Sequence, residues 1–453
     1  MKQRLGALAF VAVLSFLSGG WLVRRGDSAD GNLYQQARIL ETVLSIIHDH
    51  ALVAPNGTEL FQKTARTLVD QIKDPYAELL MGDGYRDFNR QMSGTGEIPT
   101  PGALADHPIH IPATSPGLLV TPTVGYVALH SLSASAADEL SGVIWDLRKR
   151  GMRSLVLDLR NDPGGLIKQG VEVAELFLPK GDTVVVTRGR TAGHSKVYVA
   201  PEAEQWPGLK LALLVNDGTA SSAELIAGAL QDHDRAVLIG QPTYGKGVLQ
   251  TTYPLTSDMA VKLTTARWFT PSGRSVHRPR TRSDSIVAAR RRSAAERGVR
   301  YRTDGGRPLA DGQGIIPDLV VSREAYTPGE RAFLDSLGSS YSAFRAALAD
   351  CALNARANGN IVSDTFTVTS AMREQVRAAL LRHNVELSPA TFDGAASFID
   401  RQLGYEIART LFGEEPGSRR RLMDDRQMRA ARELLERADN EPELIGLAGS
   451  GLD

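Results

Sequence analysis

The chain has 453 residues, and its 52 lysines and arginines balance its 52 aspartates and glutamates, so the formal net charge at pH 7 is zero. This balance provides no global attraction for nucleic acid, and we expect no nucleic-acid partner. A composition of 42% hydrophobic and 23% charged residues is that of a folded protein with more than one domain, and the single cysteine, Cys351, excludes an intrachain disulfide.

The N-terminus has the pattern of an export signal. Lys2 and Arg4 precede an apolar stretch over residues 5–23, and two arginines follow it. About 19 apolar residues can span a bilayer, and no convincing small-residue cleavage motif follows. We therefore expect residues 1–29 to be an uncleaved inner-membrane anchor, with the body of the protein in the cell envelope, periplasmic or otherwise outside the cytoplasm. A signal peptide that is removed is the alternative.

The next two segments differ in pattern. Residues 30–82 carry helical periodicity in two pieces, broken at Pro55-Asn56-Gly57, and predict an N-terminal helical hairpin. Residues 83–123 are rich in proline, glycine, threonine and alanine towards their C-terminal end and predict an irregular linker.

Residues 124–325 alternate between apolar strand-like runs and helical patterns. Helices are predicted at 136–150, 170–178 and 223–230, and strands at 154–159, 183–187 and 209–215. This alternation predicts a layered α/β core.

Two further segments, one rich in arginine and one helical in pattern, are predicted in the C-terminal part of the chain. Residues 278–307 hold ten arginines against three acids and predict an exposed arginine-rich insertion near the rim of a site, with a role in gripping an anionic substrate or membrane lipid as the alternative. Residues 326–453 are helical and charged in pattern, and predict a C-terminal helical domain that acts as a cap or supports a homo-oligomer.

A serine cluster lies between the strand predicted at 209–215 and the helix predicted at 223–230, and reads Gly218-Thr219-Ala220-Ser221-Ser222-Ala223-Glu224. Backbone N–H groups at a helix start lack intrahelical partners and can receive a developing oxyanion. The pattern indicates a serine nucleophile, with an N-cap serine as the alternative. The chemistry alone does not choose between Ser221 and Ser222.

A second run, Tyr244-Gly245-Lys246-Gly247-Val248-Leu249-Gln250, follows the apolar residues 236–239. Its two glycines allow a close approach to Lys246. Lys246 and Gln250 are an even number of residues apart, so both side chains share one face if a strand begins near Lys246. A solvated surface lysine is the alternative.

A lysine can serve as the base for a serine only if its amine is neutral, since an ammonium group has no lone pair. Burial lowers a lysine pKa from its ordinary ~10.4. The apolar residues 237–239 and 248–249 around Lys246 favour such burial.

Together the two runs resemble those of the carboxyl-terminal processing peptidases, also called tail-specific proteases. That family's nucleophile run reads approximately Gly-Ser-Ala-Ser-Ala-Ser-Glu, and its lysine run reads Phe-Gly-Lys-Gly-x-x-Gln. Alignment of the runs implies Ser221 as the nucleophile, Lys246 as the base and Gln250 as the residue that orients the lysine. Thr219 and Ser222 depart from the family pattern. The resemblance also implies a crotonase-like β/α-spiral core.

A third motif ends the strand predicted at 154–159 and is similar to the family's Asp-Leu-Arg-x-Asn-Pro-Gly-Gly; here it reads Asp158-Leu159-Arg160-Asn161-Asp162-Pro163-Gly164-Gly165. The resemblance implies that the N–H of Gly164 or Gly165, together with that of Ser222, forms the oxyanion hole, and an ordinary turn is the alternative. We expect Asp158 and Arg160 to form a structural ion pair. Asp232 matches a family position, but a solvated acid is the simpler expectation.

Most relatives carry a peptide-binding PDZ domain between the family's Asp-Pro-Tyr and Gly-Tyr-Val motifs. About 45 residues separate Leu80 from Gly125 here, whereas a PDZ module needs roughly 80. We therefore expect the linker of residues 83–123 to stand in place of a PDZ domain.

The sequence thus predicts a serine endopeptidase that cleaves protein or peptide substrates, bound in extended form along a strand edge, through an acyl-enzyme. Two alternatives are a noncatalytic peptide-binding scaffold on the same fold and an esterase-like hydrolase. We expect no cofactor and no metal, because the histidines lack metal-ligand spacing; His48 and His50, two apart in a helical pattern, face different directions.

Overall fold

The computed structural model of the chain describes residues 33–53, 55–96, 109–279, 299–310 and 314–450. The sequence expectations for residues 1–29, and for most of the arginine-rich insertion, fall outside these residues. In the described ranges, no helix combines the length and the apolar character needed to cross a membrane. The chain divides into two compact units, residues 1–73 and residues 74–453.

The described residues contain fourteen α-helices and fifteen strands, numbered here in chain order. The helices are α1 (Leu33–His50), α2 (Gly57–Asp70), α3 (Asp83–Ser93), α4 (Ala136–Lys149), α5 (Ile167–Glu175), α6 (Ser222–Asp232), α7 (Pro328–Leu337), α8 (Tyr341–Asn358), α9 (Ser370–Arg382), α10 (Pro389–Gly394), α11 (Ala396–Phe412), α12 (Glu414–Asp424), α13 (Arg426–Arg437) and α14 (Glu441–Ser450). The strands are β1 (Glu78–Met81), β2 (Thr95–Gly96), β3 (Ile109–His110), β4 (Leu118–Leu119), β5 (Val124–Ala128), β6 (Ser154–Asp158), β7 (Thr183–Gly189), β8 (Lys196–Val199), β9 (Lys210–Val215), β10 (Val237–Gly240), β11 (Val248–Thr256), β12 (Met259–Phe269), β13 (Val299–Arg302), β14 (Pro308–Ala310) and β15 (Leu319–Val320).

The first unit contains helices α1 and α2. The break between them is set by Asn56, whose side-chain oxygen accepts hydrogen bonds from the N–H groups of Thr58 and Glu59, at 3.1 and 3.3 Å, and so caps α2.

The predicted boundary between a helical segment and an irregular linker at residue 82 is wrong. Residues 78–81 form strand β1, which pairs antiparallel with β12, and residues 83–93 form helix α3. Helix α3 ends at Gly94, in the left-handed conformation with φ 73°. The four-residue strand is stabilised by a partner far away in sequence, so local periodicity did not identify it.

The larger sheet has the strand order β15-β10-β9-β6-β5-β4, and only the β4–β5 pair is antiparallel. Helices α4, α5 and α6 lie between successive parallel strands along the chain. Their apolar side chains pack with alternate strand residues such as Leu157 and Leu213, while Val156 and Leu214 contact α13 and α14 on the other face. A sheet buried on both faces is characteristic of α/β proteins, and the predicted layered α/β fold is confirmed.

The second sheet is antiparallel, with the order β1-β12-β7-β8, and β11 also pairs with β12. Helices α7 to α11 enclose a separate core that includes Phe333, Phe344, Phe392 and Phe398, and Cys351 of α8 is buried in it.

Asp232 differs from its expected role as a solvated acid. Its side chain is 2% exposed and contacts Arg274, which is 1% exposed. Asp232 Oδ1 accepts from Arg274 Nη2 at 2.7 Å, and Oδ2 accepts from the N–H of Ser272 at 3.0 Å. The pair therefore connects the end of α6 to the turn after β12.

Replacement Asp232→Asn should decrease the free energy of unfolding by about 3–5 kcal/mol, because it leaves the Arg274 guanidinium buried without a counter-charge. Urea denaturation of the full chain measures this change. The exposed Asp146, which pairs with Lys149 at 3.5 Å, provides the control; Asp146→Asn should change stability little. Equal stabilities for the two variants would contradict the structural role.

Candidate active site

Ser221 lies at the turn between β9 and α6. Its backbone has φ 56° and ψ −120°, a region that residues with a side chain rarely adopt. Such a conformation costs about 1–3 kcal/mol and persists only where the surroundings enforce it. A strained serine between a strand and a helix is also the arrangement of the nucleophile in other hydrolases.

The turn before Ser221 is held by a network of neutral side chains. Asn216 Oδ1 accepts from the N–H groups of Asn161 and Gly218, at 3.0 and 2.9 Å. Thr219 donates its hydroxyl to the carbonyl of Leu159 at 2.8 Å. Because β6 and β9 are parallel neighbours, the turns at their carboxyl ends lie side by side, and this network joins them.

Gly164 lies directly against the serine turn. Its φ is 86°, and a Cβ atom placed on it would lie 2.9 Å from Ser221 Cβ and 2.9 Å from the nitrogen of Ser222. Only glycine satisfies both the left-handed backbone and the close approach.

Lys246 and Gln250 are in direct contact. Lys246 Nζ donates to Gln250 Oε1 at 2.8 Å, and Gln250 Nε2 donates to the carbonyl of Tyr76 at 2.6 Å. The carbonyl oxygen at Tyr76 can only accept, so the amide of Gln250 must present its own oxygen to the lysine. Lys246 Nζ also lies 5.3 Å from the centre of the Tyr76 ring.

The surroundings of Lys246 favour a neutral amine. Burial is the largest effect that lowers the Lys246 pKa, and the positive charge of Lys262 lowers it further. The carboxylates of Glu224 and Asp74 oppose this shift. The net direction is downward, as the sequence predicted from the apolar neighbours.

A single carboxylate bridges the serine motif and the lysine motif. Glu224 Oε2 accepts from the N–H groups of Ser221, at 2.9 Å, and Lys246, at 2.7 Å. Oε1 accepts from the Thr243 hydroxyl, at 2.5 Å, and the Gly245 N–H, at 2.6 Å. Burial raises the Glu224 pKa and the four hydrogen bonds oppose that rise; since every partner is a donor, the ionised form satisfies all four contacts.

Sequence reasoning gave no role to Glu224, although the spacing of Ser221 and Glu224 is that of a capping box, in which an acidic side chain three residues into a helix binds the N-cap N–H. That signal identifies the local contact. It does not reveal that the same carboxylate binds the lysine loop.

Ser221, Lys246 and Gln250 line one cavity of about 700 Å³. Helices α3, α5 and α6, the turn before α5 and the antiparallel sheet contribute its apolar surface, which comes from Phe88, Met92, Leu166, Ile167, Leu225, Val248 and Trp268. Among the described residues, Lys246 Nζ donates to Gln250 rather than to Ser221 Oγ. The structure thus brings the three residues to one cavity without a direct serine–lysine hydrogen bond.

The three predicted oxyanion-hole residues also line this cavity. The Gly164 N–H donates to Asp162 Oδ1 at 2.8 Å, and the Gly165 N–H donates to Ser222 Oγ at 2.8 Å. Both glycine donors thus already have acceptors within the protein. The N–H of Ser222 differs, because Ser222 is the first residue of α6 and its N–H has no intrahelical acceptor.

Asp158 and Arg160 form the expected ion pair, at 2.6 Å, and Arg160 also contacts Asp425 at 2.6 Å. They connect β6 to the C-terminal helices rather than to the cavity of Ser221. The described part of the chain holds no cluster of three or more histidine, cysteine, aspartate or glutamate side chains suited to a metal ion.

Residues 123–287 match the model of peptidase family S41. The carboxyl-terminal-processing protease of Synechocystis sp. is 35% identical over 211 residues, which are 45% of this chain and 49% of that protein. The carboxy-terminal processing protease CtpA of Bacillus subtilis is 37% identical over 155 residues, which are 34% of this chain and 33% of that protein. The chain therefore spans about half or less of the length of these curated relatives.

Among solved structures, the photosystem II D1 C-terminal processing protease aligns at 25% sequence identity with a TM-score of 0.35, over 48% of this chain and 50% of that one. The family match and the relatives confirm the resemblance predicted from the serine and lysine motifs. Residues 123–287 of this chain are thus similar to the domain of peptidase family S41.

Proposed function

We propose that this chain is a cell-envelope serine endopeptidase of the carboxyl-terminal processing type, in which Ser221 is the nucleophile, Lys246 the general base and Gln250 the residue that orients the lysine. One observation carries the proposal. A lysine with a lowered pKa, hydrogen-bonded to a neutral amide, lines the same cavity as a strained serine at a helix start.

The charge state of Lys246 is the central chemical requirement. A carboxylate at position 250 would stabilise the ammonium, whereas the Gln250 oxygen accepts one N–H and leaves the lone pair of a neutral amine for the serine proton. Burial away from water acts in the same direction.

In acylation, Ser221 Oγ attacks the peptide carbonyl carbon while Lys246 Nζ takes the hydroxyl proton. The lysine then gives this proton to the leaving amine, and the C–N bond breaks. In deacylation, Lys246 takes a proton from the water that attacks the acyl carbon, and returns it to Ser221 Oγ as the acyl C–O bond breaks. This step releases the carboxylic acid and regenerates the serine and the neutral lysine. The lysine must turn from Gln250 towards Ser221 for the first step, and catalytic hydrogen bonds of this kind often form only in the substrate complex.

The substrate is a protein or peptide bound in extended form. Strand β11 pairs with β12 along one edge and with no other strand among the described residues. Residues 248–252 of β11 line the cavity, so a peptide added to the free edge would pass Ser221. Main-chain hydrogen bonds of this type bind peptides with little sequence preference.

Ser221→Ala and Lys246→Met should each reduce cleavage of an unfolded protein such as casein by roughly 10³-fold or more, because each removes a reacting group. Gel electrophoresis of digests by the full chain, with circular dichroism to verify folding, measures this loss. The matched control is Lys149→Met on the exposed end of α4, which should cleave like the wild type. A fully active Ser221→Ala variant would exclude the proposed nucleophile.

The same assay separates the alternatives. Absence of cleavage by the wild type favours a noncatalytic scaffold, and hydrolysis of small esters without cleavage of peptides favours an esterase-like enzyme.

Lys262→Met should raise the Lys246 pKa by removing a nearby positive charge. The protonated amine is inactive, so kcat/KM falls as pH falls through that pKa, and the acid limb should move to higher pH in the variant. At a pH below the acid limb, a rise of one unit in the Lys246 pKa lowers kcat/KM roughly tenfold, whereas kcat/KM at high pH changes little.

Glu78→Gln should instead lower the Lys246 pKa, because Glu78 Oε2 lies 2.6 Å from Lys262 Nζ and partly neutralises its positive charge. Its acid limb should move to lower pH. Unchanged pH profiles in both variants would show that Lys262 does not influence the base.

Glu224→Gln should reduce kcat/KM by about 10²-fold, because an amide presents one accepting oxygen where the carboxylate presents two, and small displacements of reacting groups are costly. Steady-state kinetics together with thermal denaturation measures activity and stability. Glu175→Gln on α5, whose carboxyl makes no contact with the serine or lysine turns in the described structure, is the control. Wild-type kinetics in Glu224→Gln would contradict the bridging role.

A further inference from the structure

Asp162 is a buried acid beside the candidate site whose two carboxyl oxygens differ in their hydrogen bonding. Its side chain is completely buried and Oδ1 accepts the Gly164 N–H at 2.8 Å, whereas Oδ2 has no hydrogen-bond partner among the residues that the structure describes. Buried polar atoms without a partner are rare in folded proteins and call for an explanation. The family motif has asparagine at this position, whereas this chain has aspartate.

The position of Asp162 is fixed relative to the nucleophile. Its carbonyl accepts the Ala220 N–H at 2.9 Å, and Gly164, two residues further on, presses against Ser221 and the nitrogen of Ser222. Asp162 therefore holds, through one hydrogen bond, the N–H of the glycine that packs against the serine turn.

We infer that Asp162 is a positioning residue that controls access of the oxyanion to the Gly164 N–H, holding this donor when ionised and releasing it when protonated. The inference deepens the proposed function and rests on it.

Two physical effects support this role. A hydrogen bond to an ionised acceptor is about twice as strong as one to a neutral acceptor, so a carboxylate competes harder with the substrate for the Gly164 N–H. An ionised Asp162 would also repel the negative charge that develops on the substrate oxygen in a site of low dielectric constant. Protonation removes both effects and gives Oδ2 a hydroxyl.

Burial raises the pKa of Asp162 to about 7, and the hydrogen bond from Gly164 opposes the rise. The group would therefore change its charge near neutral pH, where Lys246 must also be neutral for catalysis. The two requirements oppose each other, so activity should have an alkaline limb set by Asp162 and an acid limb set by Lys246.

The other charged groups near this turn already have partners. Asp158 pairs with Arg160, Glu224 accepts four hydrogen bonds, and Lys246 donates to Gln250. Asp217 of the serine turn is partly exposed and has interactions of its own. Within the described residues no cation pairs with Asp162, so burial, rather than a counter-charge, determines its protonation.

The test is Asp162→Asn in the full chain, since an asparagine can accept the Gly164 N–H but cannot ionise. The pH dependence of kcat/KM on a peptide substrate should lose its alkaline limb, so that at pH 9 the variant exceeds the wild type by about tenfold or more while the acid limb is unchanged. The control is Asp138→Asn on the exposed first turn of α4, which should keep both limbs.

Stability provides a second readout that does not depend on activity. The folded-state pKa of Asp162 lies above the ordinary value of 3.8, so its contribution to stability is complete below pH 4 and is lost as pH rises through about 7. The urea midpoint of the wild type should therefore fall over this range relative to that of Asp162→Asn.

The outcomes are distinguishable. If the wild type and Asp162→Asn both cleave the substrate with the same alkaline limb, this inference alone is overturned. It is also overturned if kcat/KM of the wild type keeps rising up to pH 10, a result that does not require Asp162→Asn to fold. Absence of Ser221-dependent cleavage by the wild type at every pH overturns the proposed function and this inference together.

Discussion

The buried carboxylate of Glu224 is the constraint on which the candidate site depends. It belongs to the helix that Ser221 precedes, yet it binds the main chain of Lys246, Gly245 and the side chain of Thr243 on a different loop. Ser221 occupies an unfavourable backbone region, and its N–H is held by the same carboxylate. One buried group thus holds the turn of Ser221 and the loop of Lys246 together, which two independent surface loops would not achieve.

Burial away from water favours the neutral forms of two titratable groups at the candidate site. Burial lowers the pKa of Lys246 and raises that of Asp162, so both are driven towards their neutral forms. Gln250 is neutral by its chemistry and does not reverse the effect on the lysine. Burial raises the pKa of Glu224 as well, but there the four donors that surround its carboxylate oppose the rise.

The two sheets contribute different parts of the cavity. Parallel strands β6 and β9 end side by side, which brings the turn of Gly164 against the turn of Ser221. The antiparallel sheet supplies β11, which contains Gln250 and follows Lys246 in the chain, and both residues line the cavity. Clefts at the carboxyl ends of parallel strands are common binding sites because loops converge there, and residues of β11 and β12 complete the lining of this one.

Local patterns in the sequence determined a large part of this description: the α/β alternation over residues 124–325, the helix start after Ser221, and the burial of Lys246 implied by its apolar neighbours. The chemistry of the residues pointed to the serine and lysine motifs, and the resemblance of these motifs to known ones indicated the family. Contacts between distant segments required the three-dimensional structure: the pairing of β1 with β12, the burial of Asp232 against Arg274, the bridge from Glu224 to the lysine loop and, within the described residues, the Asp162 oxygen that has no partner. Hydrogen bonds and desolvation depend on which segments meet in space, and periodicity along the chain carries no information about that meeting.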